Sequence, residues 1–177
     1  MLEKEMVGRC SFFKWFPKDK LSEIARLGEI LEVDSEAVIF KEGETAVNLY
    51  GVLDGEIELS LVFEDKILKK DIRYEDYIHT SIETIERNII FDCIKPCDIF
   101  GWSALTKPNR FTATAKATKP SRIFFMPATD LEDVLAKNPQ LGYAFMLQFS
   151  ELISQRLIHR TDKLIECWHA CFESNRI

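Results

Sequence analysis

Several common functions leave marks in a sequence, and this chain lacks most of them. No apolar run comes near the roughly 18 to 20 residues of a membrane-spanning helix. The opening Met1-Leu2-Glu3-Lys4-Glu5 is charged, unlike a secretory leader. The two absences predict a soluble, cytoplasmic protein with no membrane partner. There is no basic excess either: 23 Lys and Arg stand against 29 Asp and Glu, a net charge of -6, whereas proteins that hold nucleic acid by general electrostatics present a basic face. Only a small local basic patch is compatible with that balance. Histidine is scarce, with His79, His159 and His169 the only three and no His-x-His pair. No Walker loop, nucleophile elbow or dinucleotide fingerprint occurs. No catalytic residue, metal ligand or cofactor is assigned, and the chain is not expected to be an enzyme.

The five cysteines, Cys10, Cys93, Cys97, Cys167 and Cys171, are an odd number in a chain without an export signal, which predicts reduced thiols. A zinc or iron–sulfur site would require Cys93 and Cys97 to meet Cys167 and Cys171 in space. Packing of small, semi-buried thiols asks for less. With 46% hydrophobic residues in 177, the chain is large enough to bury one substantial core.

Along the chain, Met6 to Phe16 crowds Phe12, Phe13, Trp15 and Phe16 together and reads as a short helical docking segment. Pro17 suits a first helical turn, and Leu21, Ile24, Ala25 and Leu27 keep helical spacing until Gly28. From Glu29 the period changes to that of short strands: Ile30 to Val33, Val38 to Phe40, Leu49 to Leu53, then Glu56 to Phe63 after an Asp54-Gly55 hairpin signal. Residues 64–88 are charged with scattered Ile, Leu and Tyr, compatible with a long hairpin or a short helix. Strands resume at Ile89 to Ile94 and Ser121 to Met126. Thr129 reads as an N-cap, with Asp130, Glu132 and Asp133 complementing the dipole of a helix that stops near Asn138. From Pro139 a long helix runs to about Phe172, and its adjacent apolar pairs Leu157-Ile158, Leu164-Ile165 and Cys171-Phe172 repeat every seven residues. So wide a stripe predicts a homodimer through Ile153, Leu157, Leu164, Trp168 and Cys171, unless the β-domain covers it alone. The expected divisions are 1–28, an N-terminal helical segment; 29–127, a β-roll; and 128–177, C-terminal helices.

The stretch from Asp98 to Ala117 stands out as a site. Gly101 permits a sharp entry, Ser103 to Leu105 suit one helical turn, Lys107-Pro108-Asn109-Arg110 form a basic turn, and Phe111 to Ala117 return extended. Free N–H groups at a helical turn beside cations suit an anion such as phosphate.

Three segments carry a resemblance: Val38 to Glu44 (VIFKEGE), Leu49 to Glu58 (LYGVLDGEIE), and Pro96 to Gly101 (PCDIFG) leading into Ser103-Ala104-Leu105. In this order the chain resembles the cyclic-nucleotide-binding domain of catabolite-activator-type regulators and kinase regulatory subunits, over about Ser11 to Phe172. The resemblance implies a mainly β fold with flanking helices: a double-stranded β-helix (β-roll or jelly roll) with N-terminal helices and a long C-terminal helix. It also implies a phosphate-binding cassette at Phe100, Gly101, Trp102, Ser103, Ala104, Leu105, Arg110, Phe111, Thr112 and Ala113. In the family a Glu follows the Phe-Gly pair and an Arg precedes the Ala-Thr-rich strand. Here Trp102 holds the first position and Phe111 the second, with Arg110 one residue early and so turned to the opposite face.

Loss of two charged contacts inside a pocket predicts non-standard or lost nucleotide specificity. Trp102 is expected as a plug in the vacated space, ahead of a stacking platform for a base. The expected function is a stand-alone sensory or regulatory domain for signal transduction. Its ligand would be a cyclic nucleotide or other small anion, and any protein partner is unknown. A true cAMP- or cGMP-binding module acting on another protein is the alternative, and a cupin-like enzyme a distant third for want of clustered histidines. With only Glu173 to Ile177 after the long helix, direct DNA binding is not expected.

Overall fold

The computed structural model describes residues 2–74 and 77–174, and side chains other than those of 66–81, 170–171 and 173–174. Among the described residues eight strands run β1 (Glu29–Val33), β2 (Val38–Phe40), β3 (Asn48–Asp54), β4 (Ile57–Tyr74), β5 (Tyr77–Ile94), β6 (Ile99–Phe100), β7 (Thr114–Ala117) and β8 (Ser121–Pro127). They form two antiparallel sheets ordered β1-β8-β3-β6 and β2-β7-β4-β5. Before them stand α1 (Lys4–Arg9), a 3-10 turn (Ser11–Phe13) and α2 (Lys18–Ala25); a second 3-10 turn covers Trp102–Leu105. After them come α3 (Ala128–Lys137) and α4 (Pro139–Ser174). The fold is the mainly β double-stranded β-helix with flanking helices that the resemblance implied.

Strand periodicity divides the core in two. Ile123 and Phe125 of β8 face the interior of the roll with Tyr50, Val52, Ile57 and Phe100. Phe124 and Met126, on the opposite face, meet the helices with Leu49, Leu131, Leu141 and Phe145. Each large apolar side chain fully buried there contributes about 1.5–3 kcal/mol.

The segment Met6 to Phe16 forms short helical turns docked on the chain that follows: Phe12, Phe13 and Phe16 are buried, and Phe12 meets Phe145 of α4 edge-on at 4.9 Å. Trp15 alone of the four aromatics stays exposed. Asp54-Gly55 does not close a hairpin, because β3 and β4 belong to different sheets. Gly55, at φ +99°, turns the chain across the edge of the roll, and a Cβ there would lie 2.0 Å from Ser121 Oγ. That hydroxyl accepts from the Glu56 N–H at 3.0 Å. Thr129 is no N-cap. Pro127 occupies that position and makes no side-chain cap, while the Ala128 N–H is satisfied by the Val47 carbonyl at 2.9 Å. Residues 64–74 and 77–88 belong to one long hairpin, paired from Ile57↔Ile94 to Tyr74↔Tyr77.

α4 begins with Asn138 Oδ1 accepting from the Leu141 N–H at 3.2 Å and Pro139 at the first helical position. Leu141, Phe145 and Phe149 are buried against the roll and N-terminal helices. Further along, the helix exposes apolar side chains: Leu157 is 65% exposed, Leu164 52% and Trp168 60%. Among the described residues no helix is long and apolar enough to cross a membrane.

Candidate functional site

Strand β6 delivers the chain to Gly101, whose φ of +74° is accessible to glycine at little cost. A Cβ here would stand 2.8 Å from Tyr50 Cδ2 and 3.3 Å from the Asn48 carbonyl. The 3-10 turn Trp102–Leu105 follows, with Ala104 buried. The Asn109 side chain donates from Nδ2 to the Ala104 carbonyl at 2.7 Å, tying the basic turn to the helical one. The predicted extended run from Phe111 is shorter than expected, since β7 begins only at Thr114. Phe111 pairs with the β2–β3 turn: its N–H donates to the Glu44 carbonyl at 3.0 Å and its carbonyl accepts from the Gly43 N–H at 2.8 Å.

That pairing sets the two neighbours on opposite faces. Arg110 points out of the roll and donates from Nη1 to the Gly43 carbonyl at 2.7 Å. Phe111 points in, 5% exposed, with its ring stacked on Phe40 at 3.6 Å and 7°. Tyr50 and Phe100 stack beside them at 5.2 Å. The hollow left between the roll, Gly101, Ser103 and Thr112 measures about 20 Å³. That is room for about one water, whereas small-molecule pockets are typically about 300–1,000 Å³.

Trp102 lines this hollow together with Phe40 and Phe111. It is half-buried and also packs against the helical core, and the Arg156 guanidinium of α4 lies 5.9 Å from its ring centroid. Arg156 also donates to Asp92 Oδ2 of β5, with side-chain exposures of 16% and 8%. One turn on, Arg160 lies over the Phe91 ring at 4.6 Å and borders the small hollow. Sequence reasoning missed Phe91, Asp92, Arg156 and Arg160. The available signal was the spacing of Arg156, His159, Arg160 and Lys163, which places four basic residues along one helix face.

Of the predicted dimer residues, Ile153, Leu157, Leu164 and Trp168 are exposed on α4; the side chain of Cys171 lies outside the described residues, as does that of His79. Cys10, Cys93, Cys97 and Cys167 are free thiols. Burial pushes the Cys10 thiol up to about 12, with Cys97 and Asp98 adding to it. Desolvation likewise raises Cys93, helped by Glu56 and Asp92. Among the described residues no three His, Cys, Asp or Glu side chains gather as a metal site. A cleft of about 580 Å³ is lined by Lys4, Arg9, Lys14 and Lys18 together with Glu5.

Residues 77–138 match the sequence profile of the cyclic nucleotide-binding domain. A provisionally named potassium channel protein of Rhodopseudomonas palustris is 24% identical over 137 residues, 77% of this chain; the chain spans 28% of that relative's length. Among solved structures, a provisionally named cyclic nucleotide-binding protein of Geobacter metallireducens is 27% identical with a TM-score of 0.65, over 89% of this chain and 99% of that one. A cyclic nucleotide-binding domain of Methylobacillus flagellatus gives a TM-score of 0.66 over 92% of this chain and 80% of that one. Its 17% identity speaks to the fold alone.

Proposed function

Because the chain carries a domain of the cyclic-nucleotide-binding family, we propose that it is a regulatory sensory module whose specificity departs from ordinary cAMP or cGMP binding. The observation that carries this reading is the Phe111 ring, stacked on Phe40 in the interior of the roll. The departures from the family's pattern act together. Trp102 offers no acceptor where a Glu is expected, and Phe111 offers no cation where an Arg is expected. Arg110 is engaged outside, at the Gly43 carbonyl. A cyclic phosphate seated here would be desolvated without its compensating charge.

Around this altered cassette, Gly101, Ser103 and Thr112 still border a small hollow. A ligand met there would act on the 3-10 turn, and Trp102 would pass the displacement to Arg156 and α4. The outward stripe of α4 then serves as a homodimer seam. Its polar members are satisfied within the helix, since Ser150 Oγ donates to the Met146 carbonyl at 2.8 Å and Thr161 Oγ1 to the Leu157 carbonyl at 2.9 Å.

Calorimetry with cAMP, cGMP and a cyclic dinucleotide tests the reading. No binding tighter than millimolar is expected for cAMP or cGMP. Micromolar binding of either overturns the proposed departure in specificity.

A further inference from the structure

We propose that the groove between the β4–β5 hairpin and α4 binds a small amphiphilic anion, with one carboxylate or phosphate head held at Arg160 and a short apolar tail laid between hairpin and helix. Leu61 and Phe91 form one wall, Leu164 and Cys167 the other, and Arg160 and Lys163 stand at the lip of a space of about 250 Å³. That is roughly eight water volumes, enough for a short hydrocarbon chain. The walls are not closed off from solvent: Leu61 is 36% and Leu164 52% exposed, so a tail would remove apolar surface from water.

Charge selects the head. The other two cations here are committed, Arg156 to Asp92 and Lys163 to Glu166 at 2.8 Å. Among the described residues no carboxylate meets Arg160. Its guanidinium lies on Phe91 at 4.6 Å, a contact that holds the cation in place and leaves N–H edges for an oxyanion. A second copy of the apolar helix laid in the same groove would bury Arg160 under hydrocarbon without a partner, which is costly. An anionic head removes that cost.

Arg160 also borders the hollow beside Gly101, Ser103 and Thr112. An anion at this joint touches the cassette and α4 at once. Leu164 belongs to both the groove and the outward stripe of α4, so filling the groove alters what the stripe presents.

The experiment is calorimetry of the full chain with decanoate and decyl phosphate below their micellar concentrations, against decanol, acetate and inorganic phosphate. Both amphiphiles are expected to bind, and the three controls to bind at least about tenfold more weakly. Arg160→Gln should weaken both amphiphiles by about tenfold or more. Leu164→Gln should also weaken them, while Arg26→Gln, at the exposed end of α2, should not. Mass spectrometry reports the location: decanoate should slow alkylation of exposed Cys167 and leave exposed Cys93 unaffected. Absence of amphiphile binding, equal binding of decanol, or binding indifferent to Arg160→Gln overturns the proposal. So does a dimer that shields Cys167 without any added ligand, which would give the groove to a second copy.

Discussion

The Phe111 ring lies flat against Phe40, with centroids 3.6 Å apart and planes 7° from parallel. The contact is buried hydrocarbon in the interior of the roll, so its loss should register as lost core. Phe111→Ala is expected to destabilise the fold by about 3–5 kcal/mol. In urea the midpoint should fall at an unchanged m-value. A loss under about 1 kcal/mol would show that the ring contributes little to the core.

Arg156→Ala leaves the Asp92 carboxylate, 8% exposed, without its partner. The expected cost is about 3 kcal/mol, and Asp92→Ala should behave similarly. The double variant should lose less than the two single losses added together, by about 0.5–3 kcal/mol. Strict additivity in a urea-based cycle would remove the pair from the account of how α4 is held to the roll.

Gly55→Ala combines a φ of +99° with a Cβ position 2.0 Å from Ser121 Oγ and 2.6 Å from the Ser121 Cα. The conformational part alone costs about 1–2 kcal/mol, and the backbone clash adds to it. The expected total exceeds that of Gly101→Ala, whose nearest contact is the edge of the Tyr50 ring at 2.8 Å. Thermal melts of the two variants give the order directly; a milder Gly55→Ala would mean that the crossing relaxes freely.

Burial, with smaller effects from Cys97 and Asp98, raises the Cys10 thiol from 9.0 to about 12. The folded protein therefore keeps a proton that the unfolded chain gives up above pH 9. The resulting stabilisation is complete below pH 9 and is lost as pH climbs towards 12. Stability measured across that window should fall less steeply for Cys10→Ala than for the parent. Parallel slopes would contradict the assignment.

Leu157 and Trp168 are 65% and 60% exposed on the outward stripe of α4. Light scattering is expected to give a dimer mass for the parent and a monomer mass for Leu157→Glu. A monomeric parent at high concentration removes the proposed seam.

The legible parts of the fold were those written in local pattern. The strands at Glu29, Val38, Asn48 and Ser121 follow from short runs of β-forming residues bounded by turns, and the long helix from its heptad-spaced apolar pairs. The turn after β6 was legible in Gly101. What escaped depended on partners distant in sequence. Asp54-Gly55 has hairpin chemistry, but its strands are claimed by different sheets. The places of the two rings are set remotely, Phe111 by its pairing with Gly43 and Glu44 and Trp102 by Arg156, more than forty residues further along. Arg160 and Phe91 carry no local signal of their meeting, because an exposed Arg on a helix is ordinarily solvated.

Sheet order has a further consequence, for the sequence of events in folding. Among the described residues β4 and β5 are the only strands adjacent in the chain that also pair with each other; the other ladders join strands further apart in sequence, as β1 with β8 and β2 with β7. The long hairpin can therefore form alone at little loop-closure cost, while the rest of the roll must close long loops first. Pulse-labelled hydrogen exchange should find amides of β4 and β5 protected before those of β1 and β8. The arm beside α4 would then be the template on which the barrel is assembled, as well as one wall of its groove.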